Sequence, residues 1–239
     1  MTETSTHGRD HCSTLVRRQD EDRWLAAQYA KTPLKKSLLA LAALRIELRR
    51  IPAQVSAPQL GEIRLQWWRE GLEAIQAGGP PRAHPVLETA AATMLADKRW
   101  AAHIDAAIDG AARPLYGEGF STADDLAGWF RETDGALDAI GALMAGGDEA
   151  LADAAAKAGA AFAMAREGRV MAPKLTEDIV PYAERMYKGA APELSKAETE
   201  VAPALLHLSL TPVYLRKGER RAPLRKRMKL FSAMAFARF

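Results

Sequence analysis

From Asp20 onward, apolar residues recur at intervals of three and four, the spacing that lines one face of a helix. Leu38, Leu41, Leu44, Leu48 and Ile51 keep that period, and Pro33 stands at a helix-start position. The next helix is predicted from about Pro58 to Ala77, with Leu60, Ile63, Trp67 and Ile75 largely inward. Gly78, Gly79, Pro80 and Pro81 end it. Further helices are expected over 85–96 and 100–115. Ser121 with Asp124 resembles a capping box for a helix through Leu126, Trp129, Phe130, Leu137, Ile140 and Met144. Gly146-Gly147 closes that helix. Residues 148–166 read as an alanine-rich helix whose small side chains permit close helix contact. Ser195 with Glu198 forms a second capping box, for a helix through Leu206 that Pro203 would kink. No alternating strand pattern and no internal repeat is present. The prediction is an all-α bundle of about eight to ten helices, occupying residues 20–215 as one domain.

Residues 1–19 carry no apolar period and are rich in Thr, Ser, His and charge, which reads as a disordered leader. His7, His11 and Cys12 are incidental there, because no second ligand cluster follows at zinc-site spacing.

Composition narrows the class. The 239 residues are 48% hydrophobic, enough for a sizeable core without a staple. Cys12 is the one cysteine, so an intramolecular disulfide is excluded and a reducing compartment is expected. The apolar runs fall far short of the roughly 20 residues that span a bilayer. The polar, mixed-charge N-terminus does not read as a secretory signal. The expected location is cytoplasmic, or peripheral at the inner face of a membrane.

Charge is spread unevenly. Residues 216–229 hold eight cations against Glu219 alone, and Arg238 adds another. Within a net charge of +3, the other residues therefore carry −5. Arg220, Arg221, Arg225, Lys226, Arg227 and Lys229, followed by Phe231, make 216–239 a basic amphipathic segment suited to an anionic membrane surface. The alternative is a final helix with a solvated basic face whose apolar face packs on the body. No base-stacking motif points to nucleic acid.

The densest chemistry is Arg64-Leu65-Gln66-Trp67-Trp68-Arg69-Glu70. Adjacent residues on a helix lie about 100° apart, so the two indoles occupy different stripes. One can plug the core while the other lines a cavity or a helix contact; both as core filler is the plainer reading. Asp134 and Asp138 share a helix face, either solvated or able to hold one metal if turned inward. His84, His103 and His207 are isolated and read as surface or satisfied core histidines. No catalytic triad, phosphate loop or zinc spacing stands out.

At these residues the chain resembles the squalene/phytoene synthase family. Asp22-Arg23-Trp24-Leu25-Ala26, the helix around Leu44 to Leu48, Val55-Ser56-Ala57-Pro58 and Gly61 to Arg69 carry the resemblance. Thr133 to Leu143 continues it, and Gly159, Ala161, Phe162, Ala163 and Arg169 extend it weakly. The resemblance implies an all-α isoprenoid (terpenoid) synthase-like helical bundle around a central cavity. It also implies two aspartate-rich motifs that hold magnesium diphosphates. Where the first motif should fall, Glu47 is the only acid and Arg49 and Arg50 follow it. In the second, Glu167 is the only acid. The pattern is closer to the degenerate branch that includes the mitochondrial complex I assembly factor and its bacterial relatives.

The expectation is a non-catalytic assembly or lipid-handling factor at a membrane surface, without catalytic residues, metal or cofactor. Its expected partners are an apolar lipid or prenyl ligand, a respiratory-complex assembly partner and an anionic membrane. Glu47, Arg64, Gln66, Trp67, Trp68, Arg69 and Arg169 are the pocket or partner-binding candidates. The alternative is a magnesium-dependent head-to-head prenyltransferase acting on prenyl diphosphates.

Overall fold

The computed structural model describes residues 3–216 and 223–236, and every regular element among them is helical. The chain divides into two compact units, one running to Glu118 and the other starting at Gly119.

The first unit contains α1 (Glu3–Gln19), α2 (Glu21–Ala27), α3 (Thr32–Gln54), α4 (Pro58–Gln76), α5 (Pro85–Ala91) and α6 (Ala101–Gly110). α3 is its core helix. Leu41, Leu44, Leu48 and Ile51 are buried along it, each contributing roughly 1.5–3 kcal/mol of transfer free energy. Pro33 sits in its first turn, where a missing N–H costs nothing. α4 also opens on a proline and stops where Gly78 adopts φ +81°, a left-handed conformation that only glycine takes cheaply.

Residues 3–19 are not a disordered leader. They form α1, which packs against α3 and α5. Cys12 and Val16 are fully buried, four residues apart on one face. Two inward apolar groups among polar neighbours give too weak a period to detect. Beside this contact, Asp20 accepts hydrogen bonds from Arg45 at 2.7 Å and Arg23 at 3.1 Å, a buried network that joins α2 to α3.

The second unit contains α7 (Ala123–Phe130), α8 (Ala136–Met144), α9 (Glu149–Ala163), α10 (Arg169–Met171), α11 (Thr176–Leu194), α12 (Ala202–Leu205), α13 (Thr211–Leu215) and α14 (Pro223–Phe236). A π-helical turn, Arg131–Gly135, joins α7 to α8, and another, Met164–Gly168, joins α9 to α10. Alanine-rich α9 lies at the centre, between α8 and α11. Small residues let α9 approach closely: a Cβ on Gly135 would fall 2.5 Å from the Ala156 carbonyl oxygen.

Two caps differ from expectation. The N-cap of α7 is Thr122, whose hydroxyl accepts from the Asp125 N–H, one residue later than the Ser121 and Asp124 pair. The Asp125 carboxylate returns to the Ser121 N–H at 3.0 Å. Ser195 ends α11 rather than opening a helix, because its hydroxyl donates back to the Ala191 carbonyl at 2.8 Å. The chain becomes helical again at Ala202, with Pro203 in the first turn of α12 rather than at a kink.

Candidate functional site

The α4 heptapeptide is split between core and surface. The buried face of α4 is Gly61, Leu65, Trp68, Gly71, Leu72 and Ile75. Trp68 is 5% exposed, whereas Leu60 is 48% and Ile63 is 66% exposed. The expected inward placement of Leu60, Ile63 and Trp67 is therefore wrong by about one residue of helical rotation. Glycines decide which face turns in. A Cβ on Gly61 would meet Leu115 at 2.2 Å, and one on Gly71 would meet Leu87 at 2.9 Å, so neighbouring elements close on the glycine side.

Leu60, Ile63 and the half-buried Trp67 follow one another at three and four along the outer face. Beside them lies a hollow of about 370 Å³ lined by Glu62, Ile63, Gln66, Trp67 and Glu70. Tyr116, itself exposed, donates its hydroxyl to Glu62. That carboxylate pushes the Tyr116 hydroxyl above the ordinary tyrosine range.

Arg82 holds the floor of this surface. Its guanidinium lies 5.2 Å from the Trp67 ring centroid, donates to the Trp67 carbonyl at 2.8 Å and donates to Glu70 at 2.7 Å. The planar fork serves all three partners at once. The Arg82 contact, with Gln66 donating at 3.1 Å, holds the Glu70 carboxyl below its ordinary value. Arg69 points away, into an ion pair with Asp105 and another with Asp109 at 2.5 Å that tie α4 to α6. Arg64 is exposed and reaches only Gln54, at 3.4 Å.

His84 supports the indoles from behind. Its ring meets Trp68 edge-on at 4.8 Å and Trp67 at 5.9 Å, and the two indoles meet each other at 5.4 Å. The His84 Nδ1 accepts the Val86 N–H as N-cap of α5. Burial, then the nearby positive charge of His11 and Arg50, lowers the His84 pKa and favours the neutral ring that can accept this bond. Sequence periodicity missed Arg82 and His84, since neither belongs to an apolar stripe.

Glu47 is buried on α3 and paired with Arg50. Burial pushes its carboxyl upward against the pull of Arg50, and its Oε1 has no hydrogen-bond partner. Glu167 accepts from Arg166 at 2.6 Å. Asp134 and Asp138 are both buried, not solvated. The His207 Nε2 lies 3.1 Å from the Asp138 Oδ1. Among the described residues, no group of three or more His, Cys, Asp or Glu side chains converges as a metal would require. Arg169 is half-buried and donates to the Leu215 carbonyl at 3.4 Å, at the C-terminus of α13.

On α14, Leu230 and Ala233 turn inward and pack on residues 206–210. Lys226 donates to the Tyr214 hydroxyl at 2.5 Å, with its ammonium 4.6 Å from the ring centroid. Arg225, Arg227 and Phe231 are exposed and Lys229 is half-buried. Arg220 and Arg221 lie outside the described residues. Among the described residues, no helix is long and apolar enough to cross a membrane.

Residues 16–169 match the squalene/phytoene synthase family. The chain belongs to that family. Its fold is the all-α isoprenoid-synthase fold: a crystal structure of a dehydrosqualene synthase in complex with ligand superposes with a TM-score of 0.71, at 12% identity, over 98% of this chain and 97% of the other. Curated relatives include NADH dehydrogenase (ubiquinone) complex I, assembly factor 6. The mouse protein is 26% identical over 129 residues, 53% of this chain and 38% of its own length. The human protein is 30% identical over 82 residues, 34% of this chain and 25% of its own length. The matched stretches thus span well under half of those relatives.

Proposed function

We propose that this protein is a non-catalytic assembly factor acting at a membrane surface, with the outer face of α4 as its partner-binding site. The observation that carries the reading is the outward row of Leu60, Ile63 and Trp67. A helix that already buries Leu65, Leu72 and Ile75 yet leaves Leu60 and Ile63 in water has that outer row available for another polypeptide. Arg82 and His84 hold the Trp67 indole in place, so little side-chain freedom remains to be lost on binding. The Glu62 and Glu70 carboxylates edge the hollow and favour a partner helix that presents apolar and basic side chains. The likeness to complex I assembly factor 6 suggests a respiratory NADH dehydrogenase subunit as that partner.

The acids do not fit magnesium diphosphate. Magnesium bridges several oxygen ligands to phosphate, and facing carboxylates are what it needs. Glu47 and Glu167 are each the lone acid of their stretch, and each is engaged by an arginine. No magnesium or other cofactor is therefore part of the proposed role.

The test is co-purification from the native cell. Wild-type protein should retain NADH dehydrogenase subunits, and Ile63→Asp should lose them without a change in melting temperature. Absence of any such subunit from the wild-type preparation would overturn the reading.

Family membership favours a second reading, prenyl transfer between two prenyl diphosphates with magnesium. Incubation with farnesyl or geranylgeranyl diphosphate and magnesium decides between them. Turnover at ordinary enzyme rates would replace the first reading with the second. Lipid extraction and mass spectrometry of the purified protein tests for a resident apolar lipid in the same preparation.

A further inference from the structure

The C-terminal helix α14 has two apolar faces where one suffices for folding. Leu230 and Ala233 use the first against the second unit, and Lys226 secures it to Tyr214. On the opposite side Leu224, Met228 and Phe231 follow at four and three, and are 76%, 71% and 64% exposed. Arg225 and Arg227 flank this row, both exposed, and the sequence of residues 223–236 contains no acidic residue. A solvated helix would place polar groups outward. This one presents a row of large flexible apolar side chains between cations, fixed in orientation by its inner face.

We infer that the outer face of α14 lies flat on an anionic lipid bilayer, with Leu224, Met228 and Phe231 entering the acyl boundary and Arg225 and Arg227 at the headgroups. The inference deepens the membrane part of the proposed function and rests on it. Charge decides the class of surface: cations draw the helix to anionic headgroups, and the apolar row then transfers from water into hydrocarbon. Nucleic acid would satisfy the arginines but leave Leu224, Met228 and Phe231 in water. Because α14 is already folded and docked, binding does not have to order it.

The experiment is co-sedimentation of the full-length protein with phosphatidylcholine vesicles, with and without phosphatidylglycerol. Wild type should bind only the mixed vesicles, and more weakly as salt is raised. The triple variant L224S/M228S/F231S should lose that binding while Val170→Ser, at an equally exposed apolar residue off α14, keeps it. R225Q/R227Q should weaken it roughly thirtyfold at low salt, about 1 kcal/mol for each arginine removed. All three serine sites are exposed, so the melting temperature should hold. If it falls, the arginine variant reads the same face. Wild type that binds neither vesicle overturns this inference and the membrane-surface reading together, leaving partner binding by α4 untouched. Mixed-vesicle binding that survives both α14 variants overturns the α14 assignment alone. Binding to duplex DNA without binding to vesicles overturns the lipid assignment.

Discussion

His207 Nε2 and Asp138 Oδ1 lie 3.1 Å apart in the interior of the second unit, joining α8 to the segment between α12 and α13. Gly159 makes room for the pair, since a Cβ there would fall 2.3 Å from Asp138 Oδ2. The Phe162 ring closes over His207 edge-on, with centroids 5.3 Å apart. His207→Leu removes a buried hydrogen bond to the Asp138 carboxyl and should therefore cost about 1.5–3 kcal/mol. Asp138→Asn, which keeps a hydrogen-bonding group, should cost less. Urea unfolding curves of the two variants give the comparison.

Cys12 tests whether α1 is docked. Burial pushes its thiol up, and its Sγ donates to the Thr89 hydroxyl at 3.5 Å. Only the thiolate attacks a disulfide reagent. Labelling by a chromogenic disulfide should be slow in native protein and fast in urea. Fast labelling under native conditions would mean that α1 leaves α3 and α5 readily.

The His84 cap gives stability a pH dependence. Its pKa is lowered from 6.5 by folding, so below that value the unfolded chain binds more protons than the native one. The contribution is complete above pH 6.5 and is lost as pH falls from there through the lower folded value. Asn also caps helices well but does not titrate in this range. His84→Asn should therefore flatten the loss of stability on acidification. Urea midpoints for both proteins across pH 5 to 7 measure it; parallel curves would exclude His84 as the source.

Tyr187 offers a gain. Its hydroxyl is buried on α11 without a hydrogen-bond partner, and burial pushes its pKa far above the ordinary tyrosine range. Tyr187→Phe removes the stranded group at constant shape. Stability should rise by about 1 kcal/mol, read as a higher urea midpoint.

Most of the fold was legible because most helices obey one period. Pro58 and Gly78 bound α4 as expected, and the alanines of α9 mark its close contacts. The failures have physical causes. Among the described side chains of α1, Cys12 and Val16 are the buried apolar ones, and two such groups among polar neighbours set no clear period. Hydrophobicity alone points Leu60, Ile63 and Trp67 of α4 inward, whereas Gly61 and Gly71 mark the side on which Leu115 and Leu87 close. The roles of Arg82 and His84 depend on a turn of chain between α4 and α5, which no spacing rule reaches.

The two π-helical turns have a consequence for how the chain tolerates change in length. Such a turn is the geometry of one residue inserted into an α-helix. Elsewhere in a helix, losing a residue swings everything downstream by about 100° and empties the core face. Between Arg131 and Gly135, a single-residue deletion instead restores an uninterrupted α-helix, keeping Phe130 and Ile140 on the buried side. The same holds between Met164 and Gly168, where α9 passes into the short α10. Relatives that differ in length by one residue are expected to place the gap at these two turns.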